Sequence, residues 1–154
     1  MDNFSIDLLL RSDQSTNKLY LGCFPSDKLP VNYPRKFTAV FNTSPSAVVD
    51  HGHWIGIMVD GSTLYFFDSF GEPPKGRIAA FTSNFNVHYN KVQHQSEDEV
   101  TCAGYAIYAI RQWSQGVSFD DIVRIFLRTR EDDRLIRAFL RDTYGVSLQP
   151  PFVF

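Results

Sequence analysis

Three residue types with mutually dependent chemistry stand in order along the chain: His53 in Gly52-His53-Trp54, Asp68 in Asp68-Ser69-Phe70-Gly71 fifteen positions on, and Cys102 in Cys102-Ala103-Gly104. A thiol attacks a carbonyl as its thiolate, so it needs a base to take the proton and a third group to hold that base in one tautomer. Cys102, His53 and Asp68 can fill those three roles. Gln95, seven residues before Cys102, can loop back and offer its side-chain amide as a donor to a developing oxyanion. Each residue alone has a plainer reading. A histidine ahead of apolar residues is commonly structural, a lone cysteine fills a core, and Asp-Ser-Phe-Gly ends a strand with the Asp capping backbone amides. Only the ordered combination points to nucleophilic catalysis.

The surrounding patterns say how these residues are brought together. His53 leads into an apolar run of Ile55, Ile57 and Val59, and Asp68 closes another of Leu64 to Phe67, with Asp60-Gly61-Ser62 between them. Two strand-like runs joined by Asp-Gly predict a hairpin whose outer ends meet, which makes His53 and Asp68 neighbours at one sheet end. Cys102 follows the polar stretch 93–99 and precedes the apolar run from Tyr105 to Ile110, which predicts a buried helix with the cysteine on its first turn. The orphan N–H groups and the positive dipole end of such a turn favour thiolate. Trp54 reads as a wall of the cleft whose backbone N–H joins the oxyanion donors, with core packing as its alternative. His51 reads as a loop histidine, Asp50 and Asp60 as turn residues, and Glu97, Asp98 and Glu99 as a solvated loop near the cleft that would favour basic substrate segments.

Further elements follow from the same rules. Phe4 to Leu10 predicts a short helix, Tyr20 opens an extended segment broken by Pro25, Pro30 and Pro34, and Phe37 to Asn42 predicts a strand. Arg77 to Phe81 predicts a short helix and Asn86 to Val92 a strand. Ser118 with Asp121 starts a helix to about Leu127, and Thr129 with Asp132 starts another ending near Gly145. The late arginines, Arg124 to Arg141, alternate with Asp120, Asp121, Glu131, Asp132, Asp133 and Asp142, and read as the solvated faces of two amphipathic helices. The fold class predicted is α+β: a central mixed, largely antiparallel sheet packed against helices, with residues 1–154 forming one domain. A 44% hydrophobic and 15% aromatic composition can fill such a core.

Composition also excludes. A net charge of −2 and a pI near 6.0 argue against strong nonspecific attraction to nucleic acid. No run of eighteen apolar residues and no basic-then-apolar opening occurs, so neither a membrane helix nor a secretory signal is expected, and the protein is expected to be soluble and intracellular. Two cysteines allow one disulfide at most, and Cys23 reads as a small buried filler. His51 and His53 form an H-x-H pair, but no second cluster has zinc spacing, and Cys102 with His88 and His94 follows no familiar pattern, so no metal or cofactor is expected.

The residues in order also resemble adenain, the adenovirus-type cysteine protease, and its relatives in other DNA viruses and virus-like mobile elements. The resemblance rests on Leu21-Gly22, Asp27-Lys28, Ala39-Val40-Phe41-Asn42-Thr43, His53-Trp54, Phe67-Asp68-Ser69-Phe70-Gly71, Gln95 and Cys102, and covers roughly residues 5 to 115. It implies that Cys102 is nucleophile, His53 general base and acid, Asp68 the orienting carboxylate and Gln95 the oxyanion-hole side chain. It further implies an endopeptidase acting on protein precursors at small or Gly-containing sites, a peptide activator as one partner, and a place in the host-cell cytoplasm or nucleus or inside the virion. Asp68 stands where the adenoviral enzymes carry Glu, as it does in the SUMO and ubiquitin-like-protein proteases. Processing of ubiquitin-like modifiers at a diglycine tail is therefore a second expectation. Ala103 stands where the family usually has Gly directly after the cysteine, and an inactive binding or scaffold relative is a third. No role is assigned to the C-terminal Phe152-Val153-Phe154.

Overall fold

The computed structural model describes residues 1–46, 52–96, 100–126 and 130–148. Asp50, His51, the acidic triplet Glu97 to Glu99, the Thr129 cap and Phe152-Val153-Phe154 lie outside the described residues. The described elements run α1 (Asn3–Ser12), β1 (Tyr20–Phe24), β2 (Lys36–Asn42), β3 (Trp54–Asp60), β4 (Thr63–Phe67), α2 (Gly76–Thr82), β5 (Asn86–Tyr89), α3 (Cys102–Ser114), α4 (Phe119–Arg124) and α5 (Arg130–Tyr144).

The five strands form one mixed sheet in the order β1-β2-β3-β4-β5. Its centre is antiparallel: β2 and β3 pair from Lys36↔Asp60 to Asn42↔Trp54, and β3 and β4 from Asp60↔Thr63 to Gly56↔Phe67. Strands β1 and β5 flank it in parallel pairings. The hairpin expected at Asp60-Gly61-Ser62 is therefore present, with Gly61 at a φ of 63° supplying the left-handed residue such a turn needs.

Side chains divide between the faces with the two-residue period of a strand. Phe37, Ala39, Phe41, Ile55, Ile57, Val59, Leu64 and Phe66 gather on one face with Ile78 of α2. Val40, Trp54, Met58 and Phe67 gather on the other with α3 and with residues of α1, α4 and α5. Helix α3 is buried without a break from Ala103 to Ile110, which is why it reads as uniformly apolar rather than amphipathic. Gly56 lets it approach the sheet, since a Cβ there would lie 3.3 Å from the Ala106 Cα.

Three expectations change. Strand β5 ends at Tyr89 rather than Val92, because Lys91 takes a left-handed φ of 56° and the Asn90 amide binds the Val92 carbonyl instead of the ladder continuing. Helix α4 ends at Arg124, and Phe126 leaves the helical path to pack its ring on Phe67, Tyr105 and Tyr108. Asp132 and Asp133 are not on a solvated face: they are 2% and 1% exposed, because the first turn of α5 points into the molecule, where Asp133 meets Thr101 and Tyr105.

Candidate active site

His53 and Asp68 are placed by the ends of the central ladder. His53 directly precedes the last β2–β3 pair, where its backbone N–H donates to Thr43 Oγ1 at 3.0 Å and its carbonyl accepts from the Thr43 N–H at 3.0 Å. Glycine is required just before it, because a Cβ on Gly52 would fall 1.6 Å from Asn42 Oδ1, the atom that accepts from the Ser44 N–H. Asp68 is the first residue after the pair Gly56↔Phe67 and opens a tight turn closed by a 2.8 Å bond from the Gly71 N–H to its carbonyl, with Gly71 at a φ of 72°.

The Asp68 carboxylate is buried, and its Oδ1 lies 2.6 Å from His53 Nε2 while also accepting from the Phe70 N–H at 2.8 Å. It thus both caps its own turn and faces the imidazole. The Phe70 ring covers His53 with centroids 4.7 Å apart. Behind Asp68, the buried Asn90 clips its backbone from both ends: Asn90 Oδ1 accepts from the Asp68 N–H at 3.0 Å, and Nδ2 donates to the Asp68 carbonyl at 2.6 Å. Nothing in the sequence marked Asn90 as part of a site. Its only signal was a polar residue at the end of an alternating strand.

Cys102 is the first residue of α3 and lies beside His53 and the backbone N–H groups of Trp54 and Ala103. Since Nε2 is engaged by Asp68, Nδ1 is the ring nitrogen left for the thiol. The preceding residue, Thr101, does not cap the helix with its side chain. Burial pushes the Cys102 thiol up, but the hydrogen bond and positive charge of His53, followed by the two backbone donors, outweigh it and hold the thiol below its ordinary value. Burial likewise disfavours the imidazolium, yet hydrogen bonds to Asp68 and Cys102 and the charges of both raise His53 to about 9. The pair therefore favours thiolate and imidazolium together.

Ala103 lies within α3 with no left-handed backbone, so the position after the cysteine makes no demand for glycine. The position of Trp54 in β3 turns its indole to the α3 face, where it packs in the core, donates from Nε1 to the Met1 carbonyl at 3.1 Å and also lines a small cavity with Cys23, Phe24, Pro25 and Ser46. Its backbone N–H is nevertheless beside Cys102. Gln95 is buried next to the acid turn: Ser69 Oγ donates to its Oε1 at 2.6 Å, and the backbone N–H groups of His94 and Gln95 donate to the Ser69 carbonyl at 2.7 and 2.9 Å. Ser69 thus fastens the Gln95 segment to the residue next to Asp68, a tie between positions 26 residues apart that no local pattern announces.

A cleft of about 360 Å³ opens beside the histidine and the acid, with Thr43, His53, Asp68, Phe70, Lys75 and Arg77 among its walls. Among the described residues, no three His, Cys, Asp or Glu converge as metal ligands.

The same arrangement of elements is found in a solved structure, that of the ASFV pS273R protease. It matches 85% of this chain with a TM-score of 0.62 at 18% identity, and this chain spans 63% of that protein. The chain shares the fold of that protease. A selenomethionine structure of the same protease matches 66% of this chain with a TM-score of 0.51 at 21% identity, covering 42% of it. The SUMO protease Ulp1 matches 70% at 17% identity with a TM-score of 0.37, covering 55% of Ulp1. No protein-family model and no curated protein matches the sequence. The fold therefore agrees with the resemblance to adenain-type cysteine proteases carried by the residue order.

Proposed function

We propose that the chain is a cysteine endopeptidase of viral type that cleaves precursor proteins through Cys102, His53 and Asp68. The observation that carries this reading is one imidazole shared by a carboxylate 2.6 Å from Nε2 and by a thiol at the head of a buried helix. The Cys102 thiolate forms a C–S bond to the scissile carbonyl carbon, and the displaced electron pair resides on the oxygen. Gln95 and the backbone N–H groups around Trp54 and Cys102 are the donors for that oxyanion. Collapse breaks the C–N bond as imidazolium His53 hands its proton to the leaving amine. Water then attacks the thioester, His53 takes its proton, and cleavage of the C–S bond releases the carboxylic acid and restores the Cys102 thiolate beside imidazolium His53. Asp68 holds the ring and stabilises its charged form.

Small or Gly-containing cleavage sites, a peptide activator and action inside the host cell or the virion rest on the resemblance to adenain. Alkylation tests the reading first. Cys102 should react rapidly with iodoacetamide near neutral pH, Cys102→Ala should remove that reaction, and His53→Ala should slow it and lower peptide turnover by about 10⁴-fold or more. Labelling at the rate of an ordinary thiol, unaffected by His53→Ala, would overturn the proposal. A Gly-containing peptide library then reads specificity. Failure on short peptides with cleavage of a diglycine tail on a folded modifier would transfer the reading to ubiquitin-like substrates, for which Asp68 is the favouring feature.

A further inference from the structure

We propose that Asp133 is a positioning residue for the oxyanion side of the site, its buried carboxylate fastening the Gln95 segment to the head of the nucleophile helix. The inference rests on the proposed protease function. Asp133 sits on the first turn of α5, remote in sequence from every residue of the site, and is 1% exposed. A carboxylate so buried is costly unless hydrogen bonds satisfy it. Three donors do so: Thr101 Oγ1 at 2.8 Å and the Tyr105 hydroxyl at 3.1 Å on Oδ1, and the Ser96 N–H at 3.1 Å on Oδ2.

The three donors come from the two pieces whose separation sets the oxyanion geometry. Thr101 and Tyr105 flank Cys102 at the start of α3, and Ser96 directly follows Gln95. The single Tyr105 hydroxyl proton is shared with the His94 carbonyl, also 3.1 Å away, which links it to the same segment. Ser69 holds this segment from the other side, through the Gln95 side chain and the His94 and Gln95 N–H groups. The oxyanion donor is thereby gripped between the turn of the acid and the helix of the nucleophile, and Asp133 brings α5 into the grip. Asp133 touches no reacting atom, so its effect must pass through the two pieces it joins, the Gln95 segment and the head of α3.

The test separates thiolate formation from oxyanion stabilisation. Alkylation by iodoacetamide needs the thiolate but forms no oxyanion, whereas peptide hydrolysis needs both. Asp133→Asn keeps an oxygen for Thr101 and Tyr105 and places an NH₂ where Ser96 needs an acceptor. The expected result is a kcat lower by about tenfold to a hundredfold with KM unchanged, and an alkylation rate within about twofold of the parent. Tyr105→Phe, which keeps the core volume and removes one hydroxyl, should lower kcat by about threefold with alkylation again unchanged. If Asp133→Asn does not fold, Tyr105→Phe decides by the same criterion. Parallel loss of both readouts would reduce the carboxylate to a prop for the fold, and loss of neither would remove its role altogether. Either result overturns the inference. A parent protein lacking rapid, His53-dependent alkylation would instead overturn the proposed function, a failure visible before any Asp133 variant is made.

Discussion

His53 and Asp68 stand within a few residues of a continuous ladder of strand pairs, whereas Gln95 lies outside the described strands and helices. The first pair is set by local register: once β3 and β4 pair about Gly61, the imidazole and carboxylate have little freedom. Gln95 is set by side chains far apart in sequence, chiefly Ser69, Tyr105 and Asp133. Substitutions on the strand side should therefore damage chemistry with little loss of fold. Those at the joint or on the helix side should damage packing, and chemistry through it.

Asp68→Asn is the sharpest probe of the strand side. It keeps an oxygen for the Phe70 N–H but removes the charge that helps raise His53 to about 9. Turnover should fall by about 10²–10⁴-fold, the range expected when a triad loses its carboxylate. The pH profile should change in a definite direction. In the parent, imidazolium persists up to about pH 9 and is lost above it, so the alkaline limb of turnover lies near that value. In Asp68→Asn, the limb should move down towards the ordinary histidine value of 6.5. An alkaline limb that stays in place would show that Cys102, not Asp68, dominates the shift.

Asn90→Ala attacks the joint between the two sides. It leaves both the N–H and the carbonyl of buried Asp68 without their side-chain partner. The stability lost, read by urea unfolding, should be about 2–6 kcal/mol, since each of the two unsatisfied buried groups costs about 1–3 kcal/mol. Asn90→Asp retains the acceptor for the Asp68 N–H but sets a buried carboxylate oxygen against the Asp68 and Val92 carbonyls, so it should be no more stable than Asn90→Ala. Equal stability of Asn90→Ala and the parent would mean that water replaces the clip and the joint is softer than its distances suggest.

These contrasts also explain what was legible beforehand. The hairpin, the buried α3 and the neighbouring His53 and Asp68 follow from a turn dipeptide and from apolar periodicity, both local signals. Asn90, Ser69 and Asp133 do not, because a polar residue that satisfies a buried group far along the chain looks, in sequence, like one that faces water. Asp133 is the clearest instance: an acidic residue in the charge-rich start of a helix with Glu131 and Asp132 beside it reads as solvated, and only the direction in which α5 packs decides otherwise. Trp54 is a related case: adjacency to His53 does not say which face its side chain takes, and strand parity sets that face opposite to the one of Ile55.

The smallest effect expected is on the helix side, at Gly104. A Cβ there would meet Ile136 Cγ2 at 2.5 Å and Leu140 Cδ1 at 3.0 Å, so α3 and α5 are in contact through a position with no side chain. Two effects compete in Gly104→Ala. Alanine in place of glycine favours the helix by about 1 kcal/mol, and overpacking opposes it by about 1–3 kcal/mol. The balance should be a loss of up to about 2 kcal/mol. Adding Ile136→Ala removes the Cγ2 that obstructs the new methyl, so the double variant should be more stable than the sum of the single changes predicts. Additive losses would place the strain elsewhere. Because α5 also carries Asp133, a shift of the two helices should reach the Gln95 segment, and the turnover of Gly104→Ala should fall while Cys102 alkylation does not.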